Sequence, residues 1–144
     1  MKRPYLLDTN VLIDMANGAD RFNDRISRAP RVLVSPVVHG EFMAGIRGSA
    51  RSRTRKRSYD IFLSLPNVVR APLSNVTGDN YAKLWQFLSD IGRRIPSNDV
   101  WIAAHAMELG ATLVTTDHHF DSIPNLDVLY AGPDEPHPAS SDNR

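Results

Sequence analysis

Cysteine is absent from all 144 residues. That excludes disulfides and thiolate metal sites, and it makes a reducing cytoplasm the expected compartment. Lysine is almost missing too: Lys2, Lys56 and Lys83 are the only three. No apolar run approaches the roughly 20 residues of a membrane helix, so no membrane association is expected. The opening MKRPYLLDTN is basic, but Asp8 interrupts its apolar stretch too early for a secretory signal. Excess charge of one sign is also lacking. The formal net charge is +1, which by itself selects no partner. There is no internal repeat.

What remains is the composition of an ordinary globular domain, 42% hydrophobic and 23% charged, long enough for one core. Tyr5-Leu6-Leu7, Arg31 to Val34, Val68-Val69, Thr112 to Thr115 and Leu126 to Tyr130 read as short buried strands. Between them lie helical patterns. One begins at Thr9 and closes at Gly18, and a short one spans residues 21–28. The Ser35-Pro36 pair starts a third, which runs to about Gly48. A basic helix covers roughly residues 52–65. A long one follows Ser74 or Asn75 and is stopped by Pro96. The last is capped near Ser97-Asn98 and ends at Gly110. Alternating strands and helices predict an α/β fold, a parallel sheet with helices on both faces. One domain over residues 1–130 is expected, with a disordered proline-rich tail over 131–144.

Four acids stand at chemically suggestive places in that pattern. Asp8 follows the first strand and Asp117 the fourth; Asp99 sits in the first turn of a helix, and Glu41 in the second turn of another. In a parallel α/β sheet, sites form at the carboxyl ends of the strands, where all four are expected to converge. Two such charges about 5 Å apart repel by roughly 3 kcal/mol at an effective dielectric near 20. Several such pairs would offset most of the stability of a domain, so protons or a cation must accompany them. Hard oxygen ligands with no histidine or cysteine in the set suit Mg²⁺ or Mn²⁺. Such an ion activates water for attack on a phosphodiester.

The residues around these acids carry a resemblance. Asp8-Thr9-Asn10-Val11-Leu12-Ile13, Glu41 in a Ser-Pro-x-x-x-x-Glu context, Asn98-Asp99-x-Trp101-Ile102-Ala103-Ala104, and Thr115-x-Asp117-x-x-Phe120 occur in this order. Together they resemble the PIN-domain ribonucleases, most closely the VapC-type toxins of type II toxin–antitoxin pairs, over about residues 4 to 130. The resemblance implies a Rossmann-like sheet, a Mg²⁺ or Mn²⁺ centre, endoribonuclease activity on RNA, a homodimer, and inhibition by a cognate antitoxin. It maps Asp8, Glu41, Asp99 and Asp117 onto the family's acidic quartet, and Asn10 and Thr115 onto polar positions that orient a carboxylate or a bound water.

Each residue also has a plainer reading. Asp8 and Asp99 can serve only as helix caps or first-turn acids, and Asp117 can simply end a strand. Adjacent His118 and His119 diverge, which argues against a zinc site built from both, though His119 can approach the metal or the substrate. His105, in mid-helix, reads as packed or at an interface, and Tyr81, Trp85 and Trp101 as core or dimer contacts. Arg47, Arg51, Arg53, Arg55, Lys56 and Arg57 crowd one segment. They form a solvated helix face, or they contact RNA or the antitoxin. An aspartyl-phosphate phosphatase would need a second acid where Asn10 stands, and a receiver domain would need a late lysine. A catalytically inactive PIN fold that binds RNA or protein is the remaining alternative.

Overall fold

The structure is a computed structural model that describes residues 2–18 and 28–131. The helix expected at residues 21–28 falls outside this range except for Arg28. The expected tail also falls outside it, except for Ala131.

Five strands form one parallel sheet: β1 (Tyr5–Leu7), β2 (Val32–Val34), β3 (Val68–Arg70), β4 (Thr112–Thr115) and β5 (Val128–Tyr130). The order is β3-β2-β1-β4-β5. Leu6 pairs with Leu33 on one side and Leu113 on the other. All three are buried, as apolar strands covered on both faces must be. The chain runs outward from β1 through β2 to β3, then returns past β1 to form β4 and β5. Because such crossovers are right-handed, the outward and return connections cover opposite faces. The reversal lies between β1 and β4, where the carboxyl ends of the strands open a crevice.

The outward face carries α1 (Thr9–Ala16), α2 (Pro36–Ile46) and α3 (Ser52–Leu63); the return carries α4 (Asn75–Asp90) and α5 (Ser97–Leu109). Local chemistry starts them. Ser35 Oγ accepts from Val37 N–H at 3.3 Å, with Pro36 in the first helical position. Ser74 and Thr77 form a reciprocal capping box at the head of α4. Two helix boundaries differ from expectation. α4 stops at Asp90, before Pro96, because Gly92 turns left-handed at φ +68° and lets Arg93 N–H reach Leu88 O at 2.9 Å. α5 begins at Ser97, with Pro96 at the cap and no side chain closing it, so the expected Ser97-Asn98 cap does not form. Phe42 from α2, Ile102 from α5 and Phe120 from the 3-10 turn His118–Ser122 are fully buried and join the sheet to its covering layers. The last strand starts at Val128 rather than Leu126. Ala131 N–H still bonds Thr115 O at 2.8 Å, prolonging the pairing of β5 with β4. No described helix is long and apolar enough to cross a membrane.

Candidate functional site

β1 ends in Leu7, and the next residue, Asp8, turns into α1 at the crevice. Its backbone N–H bonds Val114 O of β4 at 2.9 Å, so the residue is held between the two strands at the point of reversal. Asp8 is only 4% exposed. Its Oδ1 accepts from Thr9 N–H at 2.8 Å, the N-cap role that its plainer reading predicts. Its Oδ2 accepts from Thr115 Oγ1 at 2.6 Å. Thr115 closes β4, is fully buried, and also accepts from Asp117 N–H at 3.0 Å. One hydroxyl therefore orients Asp8 and fixes the turn that presents Asp117.

Asp117 caps that turn, with Oδ1 accepting from His119 N–H at 2.8 Å. The turn is anchored from below by Phe120, 1% exposed. The His119 ring folds back, placing Nδ1 3.0 Å from Asp117 Oδ2 and 3.3 Å from Asp99 Oδ2. Asp99 enters from the first turn of α5, where the helix dipole favours a negative charge. Glu41, half-buried in the second turn of α2, accepts from Thr9 Oγ1 at 3.1 Å. Sequence reading missed this role of Thr9; the only signal was its place between Asp8 and Asn10. Asn10 itself is exposed, and its side chain makes no hydrogen bond to a described residue.

Asp8 sits within electrostatic range of the other three carboxylates, and Asp99 within range of Asp117. Burial raises the Asp8 carboxyl above its ordinary value; hydrogen bonds from Thr115 and Thr9 oppose this, and the charges of Glu41 and Asp117 reinforce it. Burial likewise pushes Asp99 up to about 6, against the hydrogen bond from His119 and with the repulsion of Asp8 and Asp117. Two acids thus resist ionisation, chiefly because they are buried and further because other carboxylates stand near them. Asp99, Asp117 and His119 each offer a ligand atom, all within 4.8 Å of one another. Hard oxygen donors in a partly desolvated crevice suit a divalent cation.

The remaining predicted residues lie elsewhere. His118 points away from the acids: it stacks on Tyr130 at 4.3 Å and lies 3.2 Å from Asp121 Oδ2. His105 is fully buried in α5, with Nε2 donating to Pro72 O at 3.1 Å and Nδ1 unpartnered. Tyr81 stacks on Trp101 at 4.1 Å across α4 and α5, while Trp85 stays 39% exposed. Within the basic segment the roles divide. Arg55 Nε bonds Asn17 Oδ1 at 2.9 Å, tying α3 to the end of α1, and Lys56 pairs with Asp60 at 2.5 Å. Arg47, Arg51, Arg53 and Arg57 are exposed. Arg47, Arg53 and Arg57 border a groove of about 470 Å³ between α2 and α3 that Met43 and Ile46 also line.

A profile for the PIN domain matches residues 5–126, which takes in every one of these acids. The chain belongs to the PIN-domain family. Ribonuclease VapC1 of Haemophilus influenzae is 32% identical over 115 residues, covering 77% of this chain and 84% of that protein. Ribonuclease VapC2 of Rickettsia felis is 31% identical over 127 residues, covering 85% and 93%. Among solved structures, VapBC2 from Rickettsia felis bound to a DNA fragment from their promoter superposes with a TM-score of 0.81. It has 29% identity and covers 88% of this chain and 98% of that one. VapBC-1 from nontypeable Haemophilus influenzae follows with a TM-score of 0.76, 29% identity, and coverage of 88% and 97%. The likeness is therefore of VapC type and spans nearly the whole PIN fold. The reversal between β1 and β4 is where this PIN domain gathers its acids.

Proposed function

We propose that this PIN domain is a Mg²⁺- or Mn²⁺-dependent endoribonuclease, the toxin of a toxin–antitoxin pair working in the cytoplasm. The observation that carries the reading is that Asp8, at the β1/β4 crevice, lies within electrostatic reach of Glu41, Asp99 and Asp117, while Asp99 and Asp117 also act on each other. Relatives named ribonuclease VapC, alike over more than three quarters of the chain, support RNA as substrate. Asp8, Asp99, Asp117 and Glu41 would hold the ion, with Thr115 orienting Asp8 and Thr9 orienting Glu41. When bound, the ion supplies activation of water and stabilisation of phosphate charge. The protein's part is to keep the carboxylates rigid at the mouth of the crevice, so that a phosphodiester meets an already assembled site.

Two partners belong to the same reading. The VapBC structures support a cognate antitoxin. The α2/α3 groove suits an antitoxin segment that sets apolar residues on Met43 and Ile46 and acidic ones against Arg47, Arg53 and Arg57. RNA phosphates are the other anionic occupant of those arginines. A second copy of the chain would cover Val76, Trp85, Phe87 and Ile91, exposed apolar residues of α4 and its end.

Cleavage of total cellular RNA by purified protein tests the proposal, with Mg²⁺ and with chelator. Asp99→Asn should retain the fold and lower cleavage by orders of magnitude, because positioning and water activation fail together. Cleavage at the wild-type rate after repurification would refute the assignment of the site.

A further inference from the structure

The acids of the crevice are not alike in their surroundings. Asp8 and Glu41 are occupied by threonines, whereas Asp99 and Asp117 turn an oxygen each toward the ring nitrogen of His119. We infer that His119 Nδ1 is a ligand of the metal held by Asp99 and Asp117, and that it biases this centre toward Mn²⁺ over Mg²⁺. The inference rests on the metal-dependent reading above and adds the donor and the selectivity.

The spacing supports it. Donors about 2.1 Å from one ion lie about 3.0 Å apart at neighbouring corners of an octahedron and about 3.4 Å apart at those of a tetrahedron. The two nitrogen–oxygen separations are 3.0 and 3.3 Å. The backbone that carries the ring is held on both sides. His119 N–H is fixed to Asp117 Oδ1 at 2.8 Å, and the neighbouring Phe120 is locked in the core. Half-exposed at 53%, the imidazole needs no core rearrangement to exchange a carboxylate contact for an ion. His118 cannot substitute, since it is stacked on Tyr130 and engaged with Asp121. Mg²⁺ prefers oxygen and retains its waters, whereas Mn²⁺ accepts imidazole nitrogen more readily, so a nitrogen corner discriminates between the two.

Binding measurements test this without reference to RNA cleavage. Calorimetric titration of the wild type should give Mn²⁺ an affinity about tenfold or more above that of Mg²⁺. His119→Ala should erase most of that preference, lowering Mn²⁺ affinity by about 10- to 100-fold while changing Mg²⁺ much less. Pulsed electron paramagnetic resonance of the Mn²⁺-loaded protein should show ¹⁴N coupling in the wild type and in His118→Ala, and none in His119→Ala. His119→Gln, which keeps the polar reach but lacks the imidazole, should behave as the alanine variant does. Mn²⁺ binding without nitrogen coupling would overturn the inference alone. So would tighter Mn²⁺ binding by His119→Ala, the sign of a ring that merely fills the gap between two carboxylates. If the wild type binds neither ion, the metal-dependent reading itself fails, and the inference with it.

Discussion

Thr115 lies at the middle of the site's polar wiring. Its single hydroxyl donates to the buried Asp8 carboxylate and accepts from the backbone of Asp117. Replacing it by valine keeps the volume and removes both bonds. The loss should be about 1–3 kcal/mol, the cost of leaving a buried group unsatisfied. Metal affinity should fall by about 10- to 100-fold, because an acid that is no longer oriented binds poorly. Denaturant unfolding and metal titration of Thr115→Val measure the two effects; a variant with unchanged metal affinity would deny Thr115 its orienting role. His105 makes a different point. Burial lowers its pKa below the ordinary histidine value, and Nε2–H already serves Pro72 O. Below pH 6.5 the unfolded chain gains a proton on this ring that the folded protein resists. Stability from this group is therefore complete above 6.5 and declines as pH falls toward its folded value. His105→Gln should flatten that part of the stability–pH curve, as equilibrium unfolding at several pH values will show.

At the scale of elements, the basic segment divides into structural and available charge. Arg55 reaches from α3 to Asn17 at the end of α1 and to Ser49 before α3, so it joins two helices. Arg55→Ala should cost about 0.5–1.5 kcal/mol of stability, the net worth of hydrogen bonding at a partly exposed position. It should leave the salt dependence of RNA binding nearly unchanged. Replacing Arg47, Arg53 and Arg57 together by alanine should do the reverse. The melting temperature should hold, while the slope of log affinity against log salt flattens by about one unit for each lost phosphate contact. Filter binding of RNA over a salt series separates these outcomes. If the triple variant binds RNA normally but loses antitoxin, the groove is a protein clamp; if it loses neither, those arginines are only a solvated face. A sequence window of six basic residues could not make this division, because it depends on which side of α3 meets the end of α1.

For the whole molecule, the crevice holds carboxyls that burial, and then neighbouring negative charge, keep from ionising. In metal-free protein the Asp99 carboxyl keeps its proton up to about pH 6, whereas in the unfolded chain it loses it near 3.8. Between those values folding takes up a proton, so this group favours the folded state at low pH. Its contribution is lost as pH rises through about 6. The slope is opposite to that of His105, and the difference between wild type and Asp99→Asn isolates it. The variant should gain stability relative to wild type above pH 6 when no metal is present. Added Mg²⁺ or Mn²⁺ should raise the melting temperature of the wild type by mass action, and should do so much less in Asp8→Asn or Asp117→Asn. Differential scanning fluorimetry at pH 7.5 reads both effects. An equal metal response in all three proteins would place the cation elsewhere.

The sequence by itself determined the alternation of strand and helix, the parallel sheet and the positions of the acids. Apolar runs bounded by Asp8 and Asp117, the Ser35-Pro36 start and the PIN-like motifs are local signals, written in neighbouring residues. His119 was legible as a group near the site, but its geometry between Asp99 and Asp117 was not. Tertiary structure alone decided that Thr115 serves two acids, that Thr9 rather than Asn10 engages Glu41, and that His118 and His119 face opposite ways. It also decided which arginines are spent on packing, and that a glycine ends α4 before the proline does. These facts depend on distances between residues as many as 107 positions apart in the chain. Periodicity and capping describe neighbours along the backbone, whereas β1 and β4 meet only when the fold reverses direction between them.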